Sequence, residues 1–433
     1  MNRLKGIFHN NSLYLKALAV LTSGSLVGAV ITVLQEIVQT RIFTAEDIGI
    51  YTYLLAIPQM FIGIISLRYD VSIVVEKDDH RALALVKLSF FCSVVVSVLV
   101  TAFYAVNLLL MDRTYSDYWY VIPLIFIMLM GYGLNNILNS YSNRCRDYKM
   151  ISSTYVIRTL AQRGGVVVLG ILFVYVFKLS SLSVLIMVFC YSVGLYFAIA
   201  KQSRTLRTHM KEIHDISFRE IIDVMKVHRR QVYYSSPALF INSFSYSIIS
   251  IIMEKLHDPI TLGYYSVSTR VLGMPIMLIS GNVAKVYIEE AATEYKNTGK
   301  FNRAFMKTFG FLALMALPMF LIMYFLAPPL CGWVFGSGWE TAGLYIKILA
   351  PMFSFRLIGT AVSQSLVVCN KQGVELIFNI CLAAASVLSG VLTVVLHTNV
   401  EGFLWLLSIT RSLCYIGLII CVYIYSKGVK QHD

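Results

Sequence analysis

Near its midpoint the chain reads KQSRTLRTHMKEIHDISFREIIDVMKVHRR, from Lys201 to Arg230, which is its longest polar run. Eight basic and four acidic residues fall within it. Ser217 and Glu220 have the spacing of a helix-capping box, with Ile216 and Ile221 placed for a hydrophobic staple. A short amphipathic helix is therefore predicted to begin at Ser217. A basic amphipathic helix beside apolar segments is typical of a membrane surface, and a solvated connector is the alternative interpretation.

The composition on either side of this run predicts a membrane protein. The 433 residues are 58% hydrophobic and 14% charged, with a mean hydropathy of +0.71. A water-soluble protein of this composition would expose large apolar patches. The net charge of +13 fits basic cytoplasmic loops better than nucleic-acid binding. No CxxC pair, Cys/His cluster or phosphate-binding loop is present, so we expect no metal, cofactor or ATP site and no enzyme activity.

About twelve apolar stretches are long enough to cross a bilayer as helices. In the first half they are residues 17–40, 48–67, 88–110, 119–140, 153–177 and 182–200, and in the second half residues 232–253, 262–284, 304–326, 342–368, 376–396 and 402–425. The prediction is an all-α polytopic membrane protein with two six-helix lobes. The N-terminal lobe covers residues 1–200, the cytoplasmic basic linker 201–230, and the C-terminal lobe 231–433.

The distribution of Lys and Arg predicts the orientation of these spans. With the N-terminus placed in the cytoplasm, 26 Lys and Arg residues fall in inner segments and 4 in outer segments. The outer four are Arg41, Arg113, Lys178 and Lys255. We therefore expect both termini, and the linker between the lobes, to be cytoplasmic. All predicted outer loops are short.

The two halves resemble a sequence repeat with an offset of 214 residues. At this offset Gly49 aligns with Gly263 and Tyr51 with Tyr265, each in a short outer connection between the first two spans of its half. Six spans per half place both halves in the same orientation. The prediction is therefore a parallel repeat about a pseudo-two-fold axis along the membrane normal.

Polar residues form a stripe along the first span at intervals of three or four, which places them on one helical face. The stripe includes Gln35, Glu36 and Gln39. A polar face is costly against lipid, so it should face a water-filled cavity or another helix. Because an ionisable group at depth is usually functional, Glu36 is a candidate coupling residue. The alternative is a structural carboxylate paired with Arg41.

Three stretches resemble motifs of the polysaccharide-transporter family. They are LRYDVSIVVEKDD (Leu67–Asp79), GYYSVSTRVLGMP (Gly263–Pro275) and VFGSGWETAGLYIKILAPMFSFRLIGTAVSQSLVVCNKQ (Val334–Gln372). This family belongs to the multidrug, oligosaccharidyl-lipid and polysaccharide exporter superfamily. The resemblance implies two six-helix lobes around a central cavity. It also implies a flippase that moves lipid-diphosphate-linked sugars, for O-antigen, capsule or exopolysaccharide synthesis, across the cell inner membrane.

The same resemblance implies the partners of such a flippase. They are a lipid-linked oligosaccharide substrate, membrane lipids, H⁺ or Na⁺ as coupling ion, and a polysaccharide polymerase. Within the first family-like stretch, Arg68 and Asp70 are candidates for a gate at the inner side. An interfacial anchor is the alternative interpretation for this pair.

Six basic residues fall inside predicted spans, where each would cost about 2.5–3.5 kcal/mol at a helix centre. They are Arg158, Arg163, Arg270, Lys347, Arg356 and Arg411. Arg158 and Arg411 are placed nearest to span ends, from which their side chains could reach the interface. A cavity lined by cations suits a diphosphate, which Arg binds through two parallel hydrogen bonds. We therefore take Arg270, Arg356, Lys347, Arg163, Gln35 and Gln39 as candidate substrate-binding residues.

Two other functions remain open at this level. A cation-coupled multidrug exporter of the same superfamily would favour cavity carboxylates for cationic cargo, whereas this chain offers cavity cations. A membrane polysaccharide polymerase or ligase would ordinarily carry its chemistry on a large outer loop, and the predicted outer loops are short.

Overall fold

The computed structural model describes residues 23–229, 231–369 and 371–428, and these residues contain helices and no strand. The main helices, in chain order, are α1 Ser23–Ile42, α2 Ala45–Ile62, α3 Tyr69–Val75, α4 Asp79–Met111, α5 Val121–Arg144, α6 Tyr148–Val176, α7 Ser180–Gln202, α8 Phe218–Val227, α9 Ser236–Leu256, α10 Pro259–Thr298, α11 Asn302–Phe325, α12 Ala327–Phe335, α13 Glu340–Val368, α14 Gly373–Val395 and α15 Val400–Ser426. Five of the 26 cations counted on the cytoplasmic side, namely Arg3, Lys5, Lys16, Arg230 and Lys430, lie outside the described residues.

Eleven of the described helices are long and apolar enough to cross a membrane, close to the twelve predicted. The predicted second span, residues 48–67, is not among them, and α2, which covers most of it, ends at Ile62. Leu67 and Arg68 both adopt positive φ angles of 50° and 66°, a left-handed conformation that an α-helix cannot contain. The prediction of one helix through Leu67 was therefore wrong at its C-terminal end, and α3 begins anew at Tyr69.

The described chain forms two compact units. The first contains the chain through Phe43 together with Ile57–Phe240, and the second contains Thr44–Ala56 together with the chain from Ile241. The N-terminal part of α2 thus packs with the helices of the second unit. The hydropathy of α2 could not predict that the helix is shared between the two units. The sharing depends on long-range contacts, such as that of Thr52 with Ser266, 214 positions later in the chain.

The crossing of α2 and α10 in the second unit depends on two glycines. A Cβ atom on Gly49 would collide with the carbonyl oxygen of Pro259, and one on Gly263 would collide with that of Ala45. Both pairs are related by the offset of 214 residues, as is the hydrogen bond of 2.9 Å between the hydroxyls of Thr52 and Ser266. The helices therefore meet at equivalent positions of the repeat, and only glycine allows their backbones to approach so closely.

The linker helix packs on the first unit. The capping box of Ser217 and Glu220 is formed at the start of α8. Ile221 and Val224 are buried with the staple residue Ile216 in a cluster that also contains residues of α4. The Lys87 ammonium of α4 donates hydrogen bonds to the carbonyls of His214 and Ile216, at 2.9 and 2.8 Å. These contacts hold the linker against the end of α4.

A partly buried contact between a histidine and a carboxylate adds to this attachment. The Nε2 atom of His228, at the end of α8, lies 3.0 Å from a carboxylate oxygen of Glu76, and their side chains are 15% and 12% exposed. Burial raises the pKa of Glu76, but hydrogen bonds from His228 and from the backbone N–H groups of Asp78 and Lys77 outweigh it, so the pKa of Glu76 is below its ordinary value. The ionised carboxylate is thus the form that stabilises the folded unit.

We expect Glu76→Gln to loosen the linker from the first unit at neutral pH. A hydrogen bond to a charged group contributes about 1.5–3 kcal/mol, so linker opening should become roughly tenfold or more frequent. Because the folded pKa is lowered, the contribution of Glu76 is present above its unfolded pKa and is lost as pH falls through the folded value. The measurement is the rate of trypsin cleavage within residues 201–229. Glu212→Gln, at an exposed pair with His209, is the matched control and should leave this rate unchanged. Equal rates for wild type and Glu76→Gln would contradict the prediction.

Candidate functional site

In the first unit, three of the predicted binding residues form one polar network. The Gln35 and Gln39 side chains of α1 are hydrogen-bonded to each other and are both buried. The Arg163 guanidinium donates to the Gln35 carbonyl oxygen at 3.3 Å, and the Gln39 amide contacts the sulfur of Met187 at 3.2 Å. The structure therefore brings Arg163 into contact with Gln35, which lies 128 positions earlier in the chain and was predicted on separate grounds.

The position of Arg163 depends on a local departure from α-helical geometry. Leu160–Gly164 forms a π-helical turn within α6, which rotates the following residues relative to a regular helix. The neighbouring Gln162 donates to the backbone carbonyl of Tyr191 in α7 at 2.6 Å. Gly194 of α7 leaves room for the backbone of Gln162, since a Cβ atom there would lie 2.8 Å from its nitrogen. This packing orients Arg163 towards α1.

Glu36 lies next to this network in the chain and is 0% exposed. Gly28, two turns earlier, brings α1 against the ring of Tyr155, so α1 approaches α6 closely along this face. A carboxylate removed from water at this depth is costly, which agrees with a functional or a paired role. The assignment of Glu36 to coupling stays a prediction.

The predicted gate residues lie at the break between α2 and α3, with Arg68 in the break and Asp70 in the first turn of α3. Asp70 is 6% exposed and accepts a hydrogen bond of 2.5 Å from the Ser66 hydroxyl. Arg68, in its left-handed conformation, reaches the Ser235 hydroxyl at 3.4 Å. Both contacts lie within the first unit. The role of Arg68 and Asp70 as a gate stays a prediction.

In the second unit, each predicted binding cation lies over an aromatic ring. The distances from cation to ring centre are 5.9 Å for Arg270 over Tyr51, 5.1 Å for Lys347 over Tyr324, and 4.4 Å for Arg356 over Tyr246. The negative face of the ring attracts a cation within about 6 Å. Three different rings are used, so these contacts do not unite the three cations in a single cluster.

Arg411, which the sequence placed near a span end, is instead fully enclosed. It lies about 16 Å along α15 from its first residue, Val400, and is 0% exposed. The prediction that it would reach the interface was wrong, because α15 extends further in both directions than a side chain can reach. Its guanidinium carbon lies 4.3 Å from the centre of the Tyr246 ring, which it shares with Arg356.

The two arginines place concentrated positive charge inside the second unit. Both guanidinium carbons lie within 4.4 Å of one ring centre, so they are no more than about 9 Å apart. At an effective dielectric constant of 20, two like charges at that distance repel by on the order of 2 kcal/mol. No carboxylate lies within 4.0 Å of either guanidinium in the part of the chain that the structure describes. The sequence signal that could have identified this site is the Arg411–Tyr415 pair, one helical turn apart in an apolar span.

A sequence model of the family described as "Polysaccharide biosynthesis protein" matches residues 38–343. The chain belongs to this family. No curated relative matches the chain. The matched range contains Arg68, Asp70, Arg163 and Arg270. It contains neither Arg356 nor Arg411, so the match gives no information on these two arginines.

Solved structures with the same fold are transporters of the MOP superfamily and a flippase. The inward closed conformation of the lipid II flippase MurJ has a TM-score of 0.74 at 10% identity, over 94% of this chain and 91% of that one. An inward-facing multidrug resistance MATE family transporter has 0.66 at 14%, over 95% and 96%. A Pyrococcus furiosus MOP transporter, described by a reversed polarity of its binding pocket, has 0.65 at 14%, over 95% and 96%. At these identities the similarity concerns the fold alone.

Proposed function

We propose that this family member is a flippase for lipid-diphosphate-linked oligosaccharide repeat units, working by alternating access in cell-surface polysaccharide synthesis. The observation that carries the proposal is the cationic interior of its spans, above all Arg356, which has no carboxylate partner among the described residues. A diphosphate supplies the missing negative charge, and Arg binds it through two parallel hydrogen bonds. The lipid II flippase among the similar folds supports a lipid-linked substrate. O-antigen, capsule and exopolysaccharide units are the candidate cargoes.

The multidrug transporters of the same fold make a drug exporter the second candidate. The positive charges of Arg356 and Arg411 in the second unit would repel a cationic drug. The Pyrococcus furiosus transporter, described by a reversed pocket polarity, supports a different cargo for this fold when the pocket charge differs. We therefore favour an anionic substrate.

The decisive experiment is to identify the lipid-linked intermediate that accumulates when the protein is removed from its source cells. We expect a lipid-diphosphate oligosaccharide to accumulate on the inner leaflet, with loss of the surface polysaccharide and restoration of both by the wild-type gene. Unchanged surface polysaccharide together with increased drug sensitivity would overturn the flippase in favour of the exporter.

The proposed orientation places the linker and both termini in the cytoplasm of a cell inner-membrane protein, on the charge bias of 26 against 4. We expect Lys211→Cys, in the exposed linker, to be protected in intact cells from a membrane-impermeant thiol reagent, and to react after permeabilisation. Thr114→Cys, in a predicted outer connection, is the matched control and should react without permeabilisation. Both variants are made in a background without the two exposed cysteines of the described residues, Cys145 and Cys381. Labelling of Lys211→Cys in intact cells would reverse the orientation.

We propose that Glu36 is the protonation site that couples transport to an H⁺ gradient, with Na⁺ as the alternative ion. Glu36→Gln keeps the shape of the side chain but cannot exchange a proton, so transport should slow by on the order of tenfold or more and lose its pH dependence. The measurement is flipping of a lipid-diphosphate oligosaccharide in vesicles over a range of pH. A normal rate with an unchanged pH profile would reduce Glu36 to a packing role.

The polysaccharide polymerase is the proposed acceptor of the flipped product.

A further inference from the structure

Helices α9, α13 and α15 bring two arginines to one tyrosine inside the second unit. The guanidinium carbons of Arg356 and Arg411 lie 4.4 and 4.3 Å from the centre of the Tyr246 ring. The Tyr246 hydroxyl is hydrogen-bonded to the hydroxyl of Tyr415 at 2.8 Å, so its polar end already has a neutral partner. The cluster thus contains two positive charges and, among the described residues, no negative charge at ion-pair distance.

The hydrogen bonds of Arg411 are incomplete. Its Nη1 atom donates to the backbone carbonyl of Ser245 at 3.1 Å and to the hydroxyl of Ser386 at 3.3 Å. Its Nε and Nη2 atoms are buried and have no partner among the described residues. These two nitrogens share one edge of the guanidinium, which is an edge that binds anions through parallel hydrogen bonds. Buried donors of a charged group that lack partners are strongly destabilising, so a ligand is the simplest way to satisfy them.

We propose that Arg356 and Arg411 form an anion-binding site in the second unit, and that its occupant is a small monovalent inorganic anion such as chloride. The anion accepts hydrogen bonds from the free edge of Arg411 and compensates both charges. The ring of Tyr246 attracts both cations through its quadrupole. Arg411 has no solvent-accessible surface, so an anion reaches its free edge only when neighbouring side chains move, whereas Arg356 is half-buried and provides the accessible side.

The same guanidinium chemistry suits the diphosphate of the proposed substrate, so the test must separate the two sources of negative charge. Full-length protein is purified in detergent, and its Tm is followed through the reactivity of its free cysteines. Chloride replaces gluconate at constant sodium concentration, and inorganic pyrophosphate replaces gluconate in a parallel series. For wild type we expect a saturable rise in Tm of several degrees with chloride.

Arg411→Met removes the charge and keeps most of the side-chain volume. We expect this variant to show no chloride-dependent rise and to have a higher Tm than wild type in gluconate, because an uncompensated buried charge is gone. A purely structural Arg411 would behave differently, since losing its bonds to Ser245 and Ser386 would lower the Tm equally in both salts. Arg158→Met, which removes another half-buried arginine over a ring, is the matched control and should keep the chloride response of wild type.

Arg356→Met is the second variant, for use if Arg411→Met does not fold. It should weaken the apparent chloride affinity by about tenfold or more, because one of two charged ligands is lost. A wild type without chloride dependence, or an Arg411→Met variant that retains it, would overturn the site. Stabilisation by pyrophosphate but not by chloride would overturn the small-anion occupant. None of these measurements uses a lipid substrate, so their failure is distinguishable from failure of the flippase proposal.

Discussion

Replacing Arg270 or Arg356 with alanine is expected to abolish most export of the surface polysaccharide while the protein remains in the membrane. Each guanidinium is proposed to bind the diphosphate of the lipid-linked substrate, and a hydrogen bond to a charged group contributes about 1.5–3 kcal/mol. Losing one such residue should therefore slow export by roughly 10- to 150-fold. The measurement is surface glycan per unit of membrane-bound protein.

Lysine at the same positions distinguishes charge from geometry. It keeps the positive charge but cannot form two parallel hydrogen bonds, so Arg270→Lys and Arg356→Lys should show a partial loss. A structural ion pair would give another pattern, because alanine would leave a buried partner uncompensated and reduce membrane abundance or thermal stability. Arg158→Ala is the matched control, with export expected near the wild-type level. Full export by both alanine variants at normal abundance would remove Arg270 and Arg356 from the binding site.

Valine at Gly49 or Gly263 is expected to prevent the second unit from folding normally. Each new side chain would collide with a backbone carbonyl, which cannot rotate away as a side chain can. Overpacking of this kind costs on the order of 3 kcal/mol or more. For a unit of this size the Tm should fall by about 6–12 °C, and the yield of folded protein should fall with it.

Gly310→Val is the matched control for both substitutions. Gly310 lies in α11 with no atom within 4 Å of its Cβ position, so the same change should leave the Tm almost unaltered. Because Gly49 and Gly263 meet at one crossing, the double variant should cost less than the two single variants together, since the first valine already separates the helices. A Tm for Gly49→Val equal to that of Gly310→Val would show that the crossing is looser than the structure describes.

Short-range sequence patterns predicted the parts of this fold that depend on local physics. Burial of a helix in lipid depends on the summed hydropathy of about twenty consecutive residues, so the span count follows from composition along the chain. The capping box at Ser217 and Glu220 is equally local, since its donors and acceptors lie within one turn. Eleven of the twelve predicted spans and the capping box are present in the structure for this reason.

The α2 break shows where local patterns fail. Hydropathy continues unchanged through Leu67, yet the chain turns there through two left-handed residues. A repeat offset of 214 residues was visible in the sequence, but it could not show that Gly49 and Gly263 meet each other's helix. That contact forms only when the equivalent helices of the two repeats, α2 and α10, pack against each other.

The sequence by itself determined the membrane class, the approximate spans and the presence of cations within those spans. Only the tertiary structure decided which cations meet, because Tyr246, Arg356 and Arg411 lie on three helices far apart in the chain. It also overturned the assignment of Arg411, which lies far from both ends of α15 and is hydrogen-bonded to Ser245 and Ser386 of two other helices. Side-chain environment is a property of neighbours brought together by packing, and a linear pattern contains no information on which helices those neighbours will come from.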